Sequence, residues 1–335
     1  MPQDPSAALS NLEMLSEATS DEVALLSSLM TLEAVPAGFE LSRQGDKGDR
    51  FWVVMAGTLE VTMLTGKADR RIAVAAQGAI LGELSLLRDA PRSATIRALE
   101  DCLLVSGGPD ALEALIDIES ARQRIQAMAS TRLAEDCRPI PVTLRDGQSV
   151  LLRPLLPTDR ANLTDAIRNL SAESLRRRFF SPTPPSQKLI DYLVDIDFVD
   201  HFAWVAIDSA TGEGMATARY VRTAVRGQAE IAFTTTDSNQ GRGLGTVMLG
   251  AIGVAATQAG VDRLVAHVLD DNTAMRAVFA KADGVTSRDE PGVVSVSIES
   301  VKAASLLEPE IRTEIADSVR DIVTAASLAL VEASD

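Results

Sequence analysis

The chain has 335 residues, 46% of them apolar, enough for two domains that each bury a core. Its formal net charge of -15 argues against nucleic acid and anionic membrane partners, since both call for a basic face. Two cysteines, Cys102 and Cys137, and two distant histidines, His201 and His267, exclude a disulfide framework and a histidine-rich centre, so no metal is expected.

In chain order, residues 1–11 lack the basic and apolar runs of a signal peptide. No apolar run approaches the ~18 residues of a membrane span, so a cytoplasmic protein is expected. Residues 12–30 have helical spacing, with Leu12, Leu15, Val23, Leu26 and Met30 as core positions. Short strands broken by Gly, Asp and Pro occupy 33–106, among them Phe51-Trp52-Val53-Val54-Met55 and Leu59-Glu60-Val61-Thr62-Met63. Their even spacing predicts a small barrel or jelly roll. Gly107-Gly108-Pro109 opens one long amphipathic helix to about Leu133, with Leu112, Leu115, Ile116, Ile125 and Met128 as its buried stripe.

Within this half, Gly82-Glu83-Leu84-Ser85-Leu86-Leu87 precedes Pro91-Arg92-Ser93-Ala94-Thr95. Arg92 can neutralise an anionic phosphate diester, helped by Ser93 and backbone amides, Glu83 can accept from a ribose hydroxyl, and Gly82 permits close backbone approach. A buried Arg92 is costly without an anion or a substitute for one. These residues resemble the phosphate-binding cassette of cyclic-nucleotide-binding domains, and residues 12–135 resemble that β-roll throughout. The resemblance implies a cyclic nucleotide site at Gly82, Glu83, Leu84, Ser85, Arg92 and Ser93, and Ser93 after the arginine favours cyclic AMP. A degenerate roll without ligand is the alternative.

Pro139, Pro141 and Asp146-Gly147 place a linker over 136–148. A mixed α/β pattern follows: a strand at 150–154, a helix from Pro157-Thr158-Asp159, and strands at 203–207, 214–221 and 229–235. A helix over 243–258, a strand at 262–268, a helix at 272–282 and a last strand at 293–298 complete the catalytic domain, expected over 149–300. The tail, 301–335, carries a helix over 310–330 whose Ile311, Ile315, Val319, Ile322 and Ala326 share a face. It packs either in cis or against a second copy, and a monomer is favoured. Arg176-Arg177-Arg178-Phe179-Phe180 and the Pro-broken stretch after it read either as a mobile lid or as a helix with a solvated basic face.

Between the third of these strands and its helix lies Gln240-Gly241-Arg242-Gly243-Leu244-Gly245. Glycines at a helix N-terminus aim backbone N–H groups at an anion, and Arg242 could add a charge-assisted contact. A Walker loop fails for want of Gly-Lys-Ser/Thr, and a dinucleotide fingerprint fails because Thr246 and Met248 stand where its last glycine belongs. What remains resembles the diphosphate loop of the GNAT N-acetyltransferases. Asn272-Thr273-Ala274-Met275-Arg276-Ala277-Val278-Phe279 resembles that family's later motif. The resemblance implies acetyl-CoA as cosubstrate, with Phe233, Thr234 and Thr235 on its pantetheine arm, residues 240–245 on its diphosphate, and Asn272 nearby. It also implies Glu230 as general base, with Ala229, Ile231 and Ala232 as an apolar surround that raises its pKa. Phe279 departs from the family's Tyr, so no general acid is assigned.

A cyclic-nucleotide-binding β-roll ahead of an α/β GNAT domain makes an α+β multidomain chain. This pairing resembles the mycobacterial cyclic-AMP-regulated protein lysine acetyltransferases. It implies acyl-CoA synthetase-like protein substrates. Two other readings stay open: an acetyltransferase of small amines, and a non-catalytic nucleotide sensor.

Overall fold

The computed structural model describes residues 5–65, 68–198 and 200–326. The chain divides into two compact units, Met1–Ala129 and Ser130–Asp335.

In the first unit two four-stranded antiparallel sheets face each other. Its strands are β1 (Met30–Val35), β2 (Glu40–Ser42), β3 (Phe51–Ala56), β4 (Leu59–Thr65), β5 (Ala68–Ala75), β6 (Ile80–Leu81), β7 (Thr95–Ala98) and β8 (Cys102–Gly107). One sheet runs β1-β8-β3-β6 and the other β2-β7-β4-β5. Strand β3 is apolar on both sides because both sides are covered. Trp52 and Val54 enter the core with Leu59, Ile96 and Leu104. Phe51, Val53 and Met55 meet helices through Leu26, Leu112, Leu115 and Ile125. Those helices are α1 (Ser6–Leu9), α2 (Ser20–Leu29), α3 (Glu83–Leu87), α4 (Pro109–Asp117) and the start of α5 (Glu119–Asp136).

Two expectations change here. The helix over 12–30 is a single 3-10 turn, Glu13–Leu15, followed by α2, because Thr19 caps α2. The Glu22 amide donates to Thr19 Oγ1 (3.3 Å) and the Thr19 amide donates to the Glu22 carboxylate (2.7 Å), a reciprocal box that fixes the start. The long helix after Gly108 breaks at Ile118, whose backbone is extended.

The second unit is built on one eight-stranded sheet, ordered β15-β16-β14-β13-β12-β11-β10-β9. Its strands are β9 (Ile140–Thr143), β10 (Ser149–Pro154), β11 (His201–Asp208), β12 (Gly214–Arg222), β13 (Gln228–Thr235), β14 (Arg263–Leu269), β15 (Val285–Glu290) and β16 (Val293–Glu299). All neighbours are antiparallel except β13 and β14. The 136–148 segment is thus more than a linker, since β9 is the sheet's edge strand. Helices α6 (Arg160–Arg168), α7 (Ala172–Phe179) and α8 (Gln187–Val194) lie between β10 and β11 in sequence.

Helix α9 (Leu244–Gln258) is apolar all round and buried along most of its length. Its outer side is covered by α11 (Ser300–Ala304) and α12 (Pro309–Ala326), so the tail packs in cis. A β-carbon on Gly253 would sit 2.5 Å from the Ala304 amide nitrogen, so only glycine permits this approach. Ile315, Val319 and Ile322 are completely buried by that packing. Residues 327–330 of the expected tail helix lie outside the described residues. Helix α10 (Thr273–Ala280) stands after β14. Among the described residues no helix is long and apolar enough to cross a membrane.

Candidate active site

Strands β13 and β14 pair only over Gln228–Glu230, and beyond Glu230 they part. A cavity of about 340 Å³ opens in that gap and runs to the glycine loop. The sequence-selected residues Glu230, Phe233, Thr234, Thr235, Gln240, Gly241, Gly243, Leu244, Gly245 and Asn272 all line it. Gly241 and Gly243 have φ of +76° and +96°, the left-handed region that glycine adopts freely. Gly243 is the N-cap of α9, which leaves the helix's first N–H groups facing the cavity end. This cradle and the parted strands suit an extended thiol arm ending in a diphosphate.

Several side chains do something other than the sequence suggests. Glu230 is exposed, not surrounded by apolar groups. Ala229 and Ile231 are buried on the opposite face of the strand, as alternation requires. The cation beside Glu230 is Arg178 of α7, which donates to Thr234 Oγ1 at 3.2 Å. Burial pulls the Arg178 pKa down to about 10, and Glu230 opposes the shift. Phe279 is buried and meets Phe233 edge-on at 6.0 Å, so the two rings form an apolar wall of the cavity. Asn272 caps α10, its Oδ1 accepting from the Met275 amide (3.2 Å). Gln240 Nε2 donates to Ser174 Oγ (2.9 Å) and to the Thr235 carbonyl (3.3 Å), tying the loop to α7.

Arg242 turns away from the loop toward the β9–β10 hairpin. Its Nε donates to Asp146 (2.6 Å), its Nη1 to Asn239 Oδ1 (2.9 Å) and its Nη2 to Gln148. Arg145, Arg178 and Lys281 also line the cavity, and sequence reading missed all three in this role. Arg145 lay in an expected linker and Arg178 in a run of three arginines, so neither carried a motif.

Near Arg178 sits a second buried guanidinium, Arg219, beside the buried His201. Arg219 Nη1 donates to the Leu193 carbonyl (2.7 Å) and to His201 Nε2 (2.9 Å). A guanidinium can only donate, so Nε2 accepts and His201 is neutral with its proton on Nδ1, facing the Asp195 carbonyl at 3.1 Å. Burial first, then Arg219, lowers the His201 pKa to about 4. Burial, then Arg178, lowers Arg219 to about 9.

In the first unit Gly82, with φ of +82°, caps α3 and puts Glu83 at its first turn, 1% exposed. Arg92 is also buried, and its guanidinium donates to carbonyls, with the Asp49 carboxylate 3.9 Å from Nη2. Its Nη1 donates to the Gly82 carbonyl (2.9 Å) and its Nη2 to the Arg50 carbonyl (2.8 Å), with the Trp52 ring 4.8 Å away. Burial lowers its pKa, opposed first by Asp49. At its φ of +82°, a β-carbon on Gly82 would press on the Trp52 ring at 3.0 Å and the Arg50 carbonyl at 3.1 Å, so glycine is favoured there. Leu84 and Ser85 are buried in α3, and Ser93 is exposed beside Arg92. A buried guanidinium held by exchangeable carbonyl contacts, beside a buried carboxylate, fits an anionic ligand that also offers hydroxyls.

Comparison with known proteins places a cyclic nucleotide-binding domain at residues 32–119 and an acetyltransferase (GNAT) domain at 149–285. The acetyltransferase Pat of Mycolicibacterium smegmatis is 37% identical over 90% of this chain and 91% of its own. An acetyltransferase of Pseudomonas aeruginosa is 33% identical over 44% of this chain and 81% of its own. A solved cAMP-binding acyltransferase from Mycobacterium smegmatis is 34% identical, with a TM-score of 0.48 over 96% of this chain and 97% of that one.

Proposed function

The chain belongs to the Pat family of acetyltransferases, a cyclic nucleotide-binding domain followed by a GNAT domain, and on that premise we propose that it acetylates protein lysines under cyclic AMP control. The carrying observation is the gap between β13 and β14, which opens at Glu230 and ends at the glycine loop. Acetyl-CoA supplies the thioester that the acceptor amine attacks.

A lysine amine, with an ordinary pKa of about 10.4, reaches the site protonated at neutral pH. Glu230, exposed at the mouth of the gap, takes that proton directly or through one water. Backbone groups of Phe233, Thr234 and Thr235 hold the pantetheine arm, and the loop amides from Gly241 to Gly245 hold the diphosphate. Gln240 and Asn272 act by shaping the loop and capping α10. The Phe233–Phe279 wall keeps water from the thioester, and no side chain there is assigned to protonate the leaving thiolate.

Cyclic AMP takes the site at Gly82, Glu83, Leu84, Ser85, Arg92 and Ser93, its phosphate displacing the carbonyls that now satisfy Arg92. The substrates we propose are acyl-CoA synthetase-like proteins, in the cytoplasm. Acetylation there removes a lysine charge.

Release of CoA thiol from acetyl-CoA, with a lysine protein or a polyamine as acceptor, tests this reading. We expect the protein to be the better acceptor and the rate to respond to cyclic AMP. Glu230→Gln should slow turnover about 100-fold or more at neutral pH. Equal rates for variant and parent would remove the base. Release with polyamines alone would favour a small-amine enzyme.

A further inference from the structure

We propose that Arg145 is the side chain that meets the diphosphate of CoA, and that Arg242 is a positioning residue that holds Arg145 in place. The assignment rests on the acyltransferase reading and adds a residue from outside the glycine motif.

Three observations converge. First, Arg242 is spent. Its three nitrogen groups bond Asp146, Asn239 and Gln148, and its ion pair with Asp146 closes at 2.6 Å. A guanidinium directed at the hairpin offers the loop little charge. Secondly, Arg145 is free. Among the described residues it makes no hydrogen bond or ion pair, and it is exposed. Thirdly, Arg145 is in the right place. Its stem lies over the N-cap of α9, where a β-carbon on Gly243 would meet its Cγ at 3.5 Å and its Nε at 3.7 Å. It lines the same cavity as Gly241, Gly243 and Gly245.

The hairpin explains how the two arginines depend on each other. Strands β9 and β10 turn through Arg145-Asp146-Gly147, closed by the Leu144 amide on the Gln148 carbonyl (2.8 Å) and the Gly147 amide on the Leu144 carbonyl (3.0 Å). Arg242 grips this turn at Asp146 and Gln148, the residues around the tip. The loop therefore fastens to itself the hairpin that delivers its cation. An oxyanion seated on the α9 amides then has helix N–H groups on one side and the Arg145 guanidinium on the other. Lys281, which also lines the cavity, already donates to Thr246 Oγ1 at 2.9 Å.

Binding of CoA, dephospho-CoA and pantetheine to the full chain, followed by calorimetry, tests the assignment. Arg145→Ala should bind CoA and dephospho-CoA about tenfold more weakly, with pantetheine unchanged. Arg242→Ala should weaken CoA by a smaller factor, and the double variant should be no weaker than Arg145→Ala alone. Unchanged CoA binding by Arg145→Ala overturns the proposal. A loss seen with CoA but not dephospho-CoA moves Arg145 to the 3′-phosphate and also overturns it. A loss shared by pantetheine reduces Arg145 to a structural part. Losses that multiply in the double variant end the positioning role of Arg242. A parent chain that binds no CoA removes the acyltransferase reading together with this assignment, whereas a binding parent with an equal Arg145→Ala variant removes only the assignment.

Discussion

At the scale of single residues the neutral histidine has a measurable consequence. His201 is 4% exposed, accepts from a guanidinium and has a pKa lowered to about 4. In the unfolded chain it titrates near 6.5. Between these values the unfolded state binds the proton that the folded state refuses, so stability falls as pH falls through the window from about 6.5 to about 4. Full stability from this residue is present above the unfolded pKa. The loss should reach on the order of 3 kcal/mol at the acid end. His201→Gln, which keeps an acceptor without titrating, should flatten this part of the denaturant-unfolding profile against pH. A profile as steep in the variant as in the parent would place the acid sensitivity elsewhere. Protonated His201 would add charge beside Arg219 and, through it, Arg178.

At the scale of elements, Asp237 joins α7 to the cofactor loop. Its carboxylate accepts from the Ser171 amide (2.7 Å), Ser171 Oγ (2.9 Å) and Ser174 Oγ (2.5 Å), and Gln240 reaches the same Ser174. It therefore anchors the N-terminus of the helix that carries Arg178. Asp237→Ala should cost about 1–2 kcal/mol and speed amide exchange over α7 more than over α9. Uniform exchange across both helices would remove the anchor. The glycine loop, α9 and most strands were legible because their periods and glycines are local. What stayed illegible depended on distant partners. The bonds of Arg242 to the hairpin span 94 and 96 residues, and those of Gln240 to α7 span 66. Strand β9 was hidden by Pro141, which an edge strand tolerates because one side of it needs no ladder. Strand β15 was hidden by its polar Thr286-Ser287-Arg288-Asp289-Glu290, with no apolar alternation to betray it. The break at Ile118 was masked because Leu112, Leu115 and Ile125 are all buried, on both sides of it.

At the scale of the molecule, chain connectivity offers a route between the two sites. Helix α5 ends at Asp136, and only three residues separate it from β9, the first strand of the hairpin that Arg242 fastens to the cofactor loop. Were nucleotide binding to displace α5, the displacement would reach the hairpin through these three residues. Coupling of this kind is reciprocal: cyclic AMP must change the affinity for CoA by the factor by which CoA changes the affinity for cyclic AMP. We expect a common factor of about fivefold or more. A flexible Gly/Ser insertion of about six residues between Cys137 and Arg138 spans on the order of 13 Å and should absorb the displacement. Both ligands should still bind, with both factors falling toward one. Arg92→Ala should abolish the same coupling from the other end, by losing cyclic AMP itself. A parent factor of one would mean that the nucleotide leaves the cofactor end alone and acts only on the acceptor side. An inserted chain that keeps the parent factor would mean that the signal passes by contacts other than this segment.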